Sequence, residues 1–294
     1  MSAFVPYLLC LLGAIALCAA LLPVTRLLAP VIGAVDIPCG VRRMHTDPIP
    51  RCGGIAMLLA FWAILFVVGH AEESLLPLLL GTAALLLVGL PDDVLGVPAP
   101  IKLAVQLAAA AIVVRPLHWS VPATLAAALW LTLLTNAHNM IDGVDGLAGT
   151  TVAIEAAALA LLLYPTAPTA ALVATALLGV CLGYLPFNVH PARLFMGDEG
   201  ALPLGFIVGW LTLQLPGAGE AGAPAWRSFL LCLLPFGDLT FTVIRRLLQG
   251  RNPLRADRGH LHHLLADRGL SQRRICLSLC LPAAAAALLA VFLP

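Results

Sequence analysis

The sequence predicts an all-α membrane protein, a bundle of about ten transmembrane helices that forms a single domain over residues 1–294. Of its residues, 61% are hydrophobic and only 11% are charged, and the mean hydropathy is +0.99. Soluble domains carry about 25% charged residues, so lipid is the expected solvent. Leu and Ala dominate the apolar runs, which lack the alternation of polar and apolar residues that a transmembrane β-barrel requires. Helices are therefore expected.

Ten apolar runs approach the length needed to cross a bilayer, whose hydrocarbon core requires roughly 20 helical residues. Shorter helices remain compatible with a span when neighbouring helices surround them. The predicted spans lie near residues 4–24, 53–69, 74–90, 101–117, 119–135, 147–164, 168–187, 200–215, 226–244 and 274–294.

The basic residues lie on one side of this predicted bundle. All but two of the 16 Lys and Arg residues fall in loops that follow odd-numbered spans, and the exceptions are Arg115 and Arg227. Basic loops usually face the cytoplasm, so these loops are expected there and both termini in the periplasm or exterior. The net charge of +1 predicts no basic surface for nucleic acid.

An acidic pair follows the third span. Asp92 and Asp93 are adjacent, and repulsion between neighbouring carboxylates either raises the pKa of one or attracts a cation. The pair is interpreted as a general base or part of a magnesium site, with a solvated loop as the alternative. Lys102 opens the fourth span, where its ammonium could hold a phosphate oxygen or simply reach toward the membrane interface.

A third cluster follows the fifth span, where Asn136, Asn139, Asp142 and Asp145 recur every three residues. A helix continuing through them would stack amide and carboxylate oxygens along one face, a set that suits Mg²⁺. The glycines after the two aspartates leave room for a ligand or a bent backbone. A purely structural turn is the alternative.

A further aspartate, Asp198, lies directly before the eighth span in the segment Phe195-Met196-Gly197-Asp198. Backbone amides at the start of that helix could also meet an anion. The alternative is a simple helix cap.

The last basic loop combines Arg255 and Arg258 with His260, His262 and His263. Arginine offers a planar fork of donors for phosphate. Zinc is an alternative for the histidines, but in a helix His260 and His263 would share a face that His262 does not, and no cysteine lies nearby.

All four clusters follow odd-numbered spans and are therefore expected at one face of the membrane. A secondary transporter would instead place its ionisable residues near the bilayer midplane. Only Glu155 and Asp238 lie inside predicted spans, which favours an interfacial enzyme that handles a pyrophosphate and a lipid acceptor.

These motifs resemble those of the polyprenyl-phosphate N-acetylhexosamine-1-phosphate transferases. The resemblance covers Arg42-Arg43-Met44-His45 with Pro50 to Ile55, the Asp92-Asp93 pair, Asn136 to Ala148, Pro191 to Asp198, and Asp257 to Leu264. It is strongest to the bacterial undecaprenyl-phosphate GlcNAc-1-phosphate transferases that begin O-antigen, common-antigen or teichoic-acid linkage synthesis. The peptidoglycan branch typically has three consecutive histidines, whereas Leu261 interrupts them here. UDP-MurNAc-pentapeptide and other UDP-N-acetylhexosamines are the alternative donors.

The resemblance implies that undecaprenyl phosphate attacks a UDP-N-acetylhexosamine at the cytoplasmic face of the bacterial inner membrane, releasing UMP. It implies a Mg²⁺ cofactor, replaceable by Mn²⁺, with Asn139 and Asp198 as ligands. The catalytic carboxyl groups would be Asp92, Asp93 and Asp142. The substrate contacts would come from Lys102, Asn136, Asp145, Phe195, Gly197, Arg255, Arg258, His260, His262 and His263. A homodimer is a possible assembly.

Overall fold

The computed structural model describes residues 4–38, 47–68, 73–218, 226–252 and 259–293, which are almost entirely helical. The α-helices in these ranges are α1 (Val5–Ile32), α2 (Gly53–Val67), α3 (Leu76–Leu95), α4 (Ala99–Val114), α5 (Val121–Ile141), α6 (Leu147–Leu163), α7 (Pro168–Asn188), α8 (Asp198–Thr212), α9 (Trp226–Leu231), α10 (Leu233–Leu248), α11 (Leu261–Asp267) and α12 (Gln272–Phe292). Short 3₁₀ turns cover Glu73–Leu75 and Arg115–Leu117. Strands β1 (Val35–Asp36) and β2 (Ile49–Pro50) pair antiparallel.

Every predicted span coincides with helical structure. Within the described ranges, five segments are long and apolar enough to cross a membrane: α1, α3, α4 with its following turn, α7 and α12. Helices α2 and α6 are apolar but shorter. The chain is therefore a multi-pass membrane protein.

Two predicted spans differ from the helices that form. The ninth is divided into α9 and α10 at Cys232, because Pro235 has no N–H with which to bond the carbonyl of Leu231. The fifth continues to Ile141 and ends there, since Asp142 leaves the helical conformation. The predicted helical stack of Asn136, Asn139, Asp142 and Asp145 is therefore wrong in its second half.

Helix α8 lies at the centre of the bundle. All of its residues are buried, and it packs against α2, α3, α5 and α6. Gly54 on α2 and Gly200 on α8 bring the two backbones into contact, since a Cβ on either would overlap the other residue. Small residues permit such close helix approach in membranes. The first turn of α8, which begins with Asp198, is thereby held among several loops.

Candidate active site

The acidic pair lies in the last turn of α3. Asp92 Oδ1 accepts a hydrogen bond from the backbone N–H of Val97 at 2.6 Å, and Asp92 Oδ2 accepts one from Lys102 Nζ at 2.7 Å. The first bond folds the connection between α3 and α4 back onto the helix end. Lys102, in the first turn of α4, is consequently directed at the carboxylates.

Asp198 is the centre of this cluster. Lys102 Nζ donates to Asp198 Oδ2 at 3.2 Å, and the Arg51 guanidinium donates to Asp198 Oδ1 at 3.2 Å. Arg51 Nε also lies 2.8 Å from Asp93 Oδ1. Each cation thus connects Asp198 to one member of the Asp92–Asp93 pair.

Backbone pairing explains why Arg51 reaches this position. The N–H of Phe195 donates to Pro50 O, that of Gly53 to Phe195 O and that of Gly54 to Met196 O, all at 2.9 Å. These bonds fasten the segment after β2 to the loop before α8. Predicted site residues Phe195, half-buried, and Gly197, buried with a φ of 69°, lie in this loop.

A carboxyl group that was not among the predicted site residues lies beside Asp198. Glu199 is fully buried, and its backbone N–H donates to Asp93 Oδ2 at 3.3 Å. Among the described residues no nitrogen or hydroxyl donor bonds either side-chain oxygen of Glu199, and its carboxyl instead pairs with that of Asp93. The signal in the sequence was only its position next to Asp198.

The amides of α5 occupy the helix face near this cluster. Asn136 and Gln106 of α4 form a reciprocal pair, with Asn136 Nδ2 donating to Gln106 Oε1 at 2.6 Å and Gln106 Nε2 donating back at 3.3 Å. Asn139 lies one turn further along, half-buried at the end of the helix. Asp142 follows, with its N–H bonded to Asn139 O at 3.2 Å.

Asp145 is tied to the loop that precedes α8. Its Oδ2 accepts from His190 Nδ1 at 2.7 Å and from the backbone N–H of Ala192 at 3.0 Å. Its own N–H donates to Gln272 of α12 at 3.0 Å. The turn after α5 is thereby joined to the loop after α7. The partner His190 was not predicted, because nothing nearby in sequence marks it.

The histidine segment is brought against the turn that follows Asp142. Asp238 of α10, buried, accepts from His260 Nδ1 and from the backbone N–H of Leu261, both at 2.7 Å. His262 packs directly on Gly143, where a Cβ would lie 2.6 Å from His262 Nε2. The histidine loop therefore covers the rim of the acidic cluster.

The expectation that His262 would point away from the other two histidines is wrong. The ring centroids lie 5.7 Å apart for His260 and His262, 4.2 Å for His262 and His263, and 6.4 Å for His260 and His263. The cause is that His260 caps α11 in an extended conformation instead of belonging to the helix. The predicted arginines Arg255 and Arg258 lie outside the described residues.

Burial and neighbouring charges alter the protonation of the cluster. Burial and contact with Asp92 raise the pKa of Asp198, Lys102 and Arg51 oppose the rise, and the result is a pKa of about 6. Asp142 is partly at the surface, but the surrounding protein raises the pKa of its carboxyl well above the usual value, against the effect of Arg51. Burial lowers the pKa of His262 to about 3. His262 is therefore neutral.

The side-chain oxygens that could bind a metal are not gathered around one point. Among the described residues, no three His, Cys, Asp or Glu side chains are already arranged as ligands around one point. Both Asp198 oxygens instead hold cationic side chains. A divalent cation would thus have to replace Lys102 or Arg51 at Asp198.

The family model for glycosyl transferase family 4 matches residues 75–215. That range contains the Asp92–Asp93 pair, Lys102, the turn at Asp142 and Asp198. Arg51 and the histidine segment lie outside it.

Several relatives align over most of this chain. The decaprenyl-phosphate N-acetylglucosaminephosphotransferase of Mycobacterium tuberculosis is 32% identical over an alignment of 302 residues. That alignment includes 86% of this chain and 74% of the relative. The probable undecaprenyl-phosphate N-acetylglucosaminyl 1-phosphate transferase of Bacillus subtilis is 31% identical over an alignment of 276 residues, which includes 85% of this chain and 75% of the relative. The undecaprenyl-phosphate alpha-N-acetylglucosaminyl 1-phosphate transferase of Yersinia pestis is 29% identical over an alignment of 296 residues, which includes 92% of this chain and 80% of the relative.

Proposed function

The chain belongs to glycosyl transferase family 4, and from that premise we propose that it transfers N-acetylglucosamine 1-phosphate from UDP-N-acetylglucosamine to undecaprenyl phosphate. An oxygen of the lipid phosphate attacks the β-phosphorus of the donor. The bond from that phosphorus to the bridging oxygen breaks, and UMP leaves. The lipid product is undecaprenyl-diphospho-N-acetylglucosamine.

One observation carries this proposal, the alternation of cations and carboxylates at one end of an apolar bundle. Arg51 and Lys102 each connect Asp198 to the Asp92–Asp93 pair. Guanidinium and ammonium groups are the usual protein ligands of phosphate oxygens. A diphosphate would therefore find two donors already gathered, and taking them up would free the Asp198 oxygens.

Magnesium fits the donor set of this cluster. Carboxylate and amide oxygens are its preferred ligands, and Asp198 and Asn139 supply one of each. Beside Asp198 the buried carboxyl groups of Asp93 and Glu199 lie against each other, an arrangement in which a cation can replace a shared proton. Bound there, Mg²⁺ would neutralise the diphosphate and make the β-phosphorus more electrophilic. Mn²⁺, with similar preferences, is the expected substitute.

Asp92 and Asp93 are assigned to the lipid phosphate. A phosphate monoester has a second pKa of about 6 and is largely ionised near neutrality, so the attacking oxygen needs little help in losing a proton. Lys102, bonded to Asp92 at 2.7 Å, is placed to hold an acceptor oxygen beside the donor. We therefore assign the pair mainly to orientation, with Asp142 supporting the cluster from its rim.

The donor's two ends are assigned to opposite sides of the Asp142 turn. The nucleoside lies toward Asp145, Asn136 and the Phe195–Gly197 segment. The sugar and diphosphate lie toward His260, His262 and His263, together with Arg255 and Arg258. A neutral His262 on Gly143 can close over the site without adding charge, and closure excludes water that would hydrolyse the donor.

We also propose the full topology of ten spans with the acidic cluster in the cytoplasm. The support is the charge asymmetry of the loops, in which Arg115 and Arg227 are the only basic residues on the opposite side. The site then faces the cytoplasmic nucleotide-sugar pool of a bacterium, at its inner membrane. The product would begin a cell-surface polysaccharide.

The donor could instead be another UDP-N-acetylhexosamine or UDP-MurNAc-pentapeptide. The interrupted histidine motif favours the smaller sugar, and the names of the relatives agree with it. Incubation with each of these donors in turn separates the candidates. Solute movement across sealed vesicles without nucleotide release would favour a transporter.

The test uses purified protein, undecaprenyl phosphate and radiolabelled UDP-N-acetylglucosamine, with and without Mg²⁺. We expect label in the lipid phase and UMP in the aqueous phase, both requiring the metal. Asp198→Ala should abolish both while the protein remains folded, because it removes the centre of the cluster. Asp47→Asn, which neutralises an exposed carboxylate, is the matched control and should react at the parent rate. Full activity of Asp198→Ala would overturn the metal assignment.

A further inference from the structure

Two ionisable side chains that no step of the proposed reaction uses meet inside the bundle. His138 Nε2 of α5 lies 2.8 Å from Glu155 Oε2 of α6, and both side chains are 1% exposed. Ionisable groups are expensive inside a membrane bundle and usually have a function there. Glu155 Oε1 is buried without a hydrogen-bond partner among the described residues. Within that part of the chain, the Glu155 carboxyl therefore depends on His138.

The hydrogen bonds determine the chemistry of this pair. His138 Nδ1 lies 2.8 Å from Leu134 O, and because a carbonyl oxygen can only accept, Nδ1 carries a hydrogen. Two bare acceptors would repel each other, so one further hydrogen lies between His138 Nε2 and Glu155 Oε2. The pair has no net charge whichever of the two atoms holds that hydrogen. It is therefore a neutral link between α5 and α6.

The link joins the two helices on either side of the turn that carries Asp142 and Asp145. His138 lies in the last turn of α5, and Glu155 lies near the middle of α6. The segment between them contains Asn139 as well as both aspartates. The pair therefore sets how the end of α5 is held against α6.

The two halves of the turn are held in different ways. On the α6 side, the N–H of Asp145 donates to Gln272 at 3.0 Å and that of Gly146 donates to Asn188 at 2.9 Å. On the α5 side, no hydrogen bond joins the Asp142 side chain to another described residue. The position of the Asp142 carboxyl therefore follows the end of α5.

The same histidine also packs on α8. A Cβ on Gly205 would lie 2.8 Å from His138 Cβ and 2.9 Å from Leu134 O, so only the absence of a side chain there admits the ring. Helix α8 begins with Asp198, whereas Asn139 follows His138 on α5. Since residues recur every 3.6 positions around a helix, a rotation of α5 at this contact would displace Asn139 relative to Asp198.

We infer that Glu155 is a positioning residue, which through its bond to His138 holds Asn139 and Asp142 in the arrangement that the reaction needs. The inference rests on the proposed function, because its effect on rate is read through that reaction. Glu155 lies on α6, away from the groups assigned to the substrates, and acts through the end of α5. A misplacement of about 1 Å can reduce a rate 10²-fold.

The test compares Glu155→Gln with Glu155→Leu in UMP release by the purified protein. Glutamine keeps the link, because its amide can donate to a neutral His138 Nε2, whereas leucine cannot. We expect Glu155→Gln to stay within about threefold of the parent kcat and Glu155→Leu to lose at least about tenfold, with the KM for UDP-N-acetylglucosamine changed less.

Thr212→Val is the matched control. It removes the 2.9 Å bond from Trp130 Nε1 to Thr212 Oγ1, a buried bond between α5 and the opposite end of α8. We expect this variant to lower the Tm and to keep the parent kcat. A loss of kcat in Glu155→Leu then reports on the end of α5 and not on a general loss of stability.

Hydrogen exchange followed by mass spectrometry gives a readout that does not need the reaction. The amides of residues 139–146 should exchange at least about tenfold faster in Glu155→Leu than in the parent. They should exchange at the parent rate in Glu155→Gln and Thr212→Val. Parent-like kcat in Glu155→Leu would overturn the inference. A Glu155→Gln variant as slow as Glu155→Leu would overturn it as well.

If Glu155→Leu does not fold, the double variant His138→Phe with Glu155→Leu decides. Apolar residues of similar volume can replace a buried polar pair without loss of stability, so this variant should fold and still lose kcat, and a parent-like kcat would overturn the inference. UMP release at the parent rate in Glu155→Leu would refute this inference alone. A parent protein that never releases UMP, with faster exchange in Glu155→Leu, would refute the proposed function and leave the hold on the turn supported.

Discussion

Replacing Gly89 by alanine should open the acidic cluster without removing any of its functional groups. Gly89 lies one helical turn before Asp92 and Asp93 on α3. A Cβ there would be 2.5 Å from Glu199 N, 2.6 Å from Glu199 Cα and 2.7 Å from the carbonyl carbon of Asp198. All three neighbours are backbone atoms, so no rotamer change can relieve the overlap.

The size of the effect follows from these distances. Non-bonded carbon atoms prefer separations of about 3.5 to 4.0 Å, so α3 and the start of α8 must move apart by roughly 1 Å. The Arg51–Asp93 contact at 2.8 Å and the Lys102–Asp198 contact at 3.2 Å would then lengthen or break. A misplacement of about 1 Å can reduce a rate 10²-fold, and overpacking costs about 1–3 kcal/mol of stability.

The assay compares UMP release and thermal unfolding in the parent, Gly89→Ala and Gly237→Ala. Gly237 is the matched control, because a Cβ there meets no atom within 4 Å and alanine is the better helix former by about 1 kcal/mol. We expect Gly89→Ala to lose about 10²-fold in rate and Gly237→Ala to keep the parent rate. A parent-like rate and Tm in Gly89→Ala would refute the claim that close packing of α3 on α8 fixes the positions of the carboxylates in the acidic cluster.

Two further predictions concern the histidine segment and protonation. Asp238→Ala should leave His260 and the Leu261 N–H without their 2.7 Å acceptor, lowering stability by about 2–4 kcal/mol and UMP release by at least tenfold, and an unchanged unfolding curve and rate would contradict it. Because the folded pKa of Asp198 is raised to about 6, its proton competes with a cation below that pH and is lost above it. Mn²⁺ affinity should therefore increase up to about tenfold per pH unit below pH 6 and level off above pH 7, and a flat profile between pH 5 and pH 7 would exclude Asp198 as a ligand.

Local patterns were sufficient to predict the helices and part of the site. The apolar runs coincide with helices, and the positions of Asp92, Lys102 and Asp198 at the ends of those runs single them out. Their mutual contacts follow once all of these ends lie at one side of the bundle. The sequence therefore predicted that the segments carrying Asp92, Lys102 and Asp198 would meet.

What it did not predict depends on long-range backbone packing. Arg51 lies in the cluster because three backbone hydrogen bonds fasten its segment to the Phe195 loop. Neither segment has a sequence periodicity that predicts this pairing. His190 becomes the partner of Asp145 in the same way, across two helices. The spacing of three residues from Asn136 to Asp145 predicts a helix that continues past Ile141, where α5 in fact ends. Asp145 instead bonds to His190 and Ala192, outside its own turn.

The nucleotide released in the reaction tests the assignment of this cluster most directly. Attack on the β-phosphorus releases UMP and leaves a diphosphate on the lipid, whereas transfer of the sugar alone would release UDP and leave a monophosphate. Chromatography of the aqueous phase and mass spectrometry of the lipid phase distinguish these outcomes for the purified protein with UDP-N-acetylglucosamine, undecaprenyl phosphate and Mg²⁺. We predict UMP and undecaprenyl-diphospho-N-acetylglucosamine in equal amounts. UDP as the product, or no nucleotide release with any UDP-N-acetylhexosamine or with UDP-MurNAc-pentapeptide, would contradict phosphoryl transfer at this site.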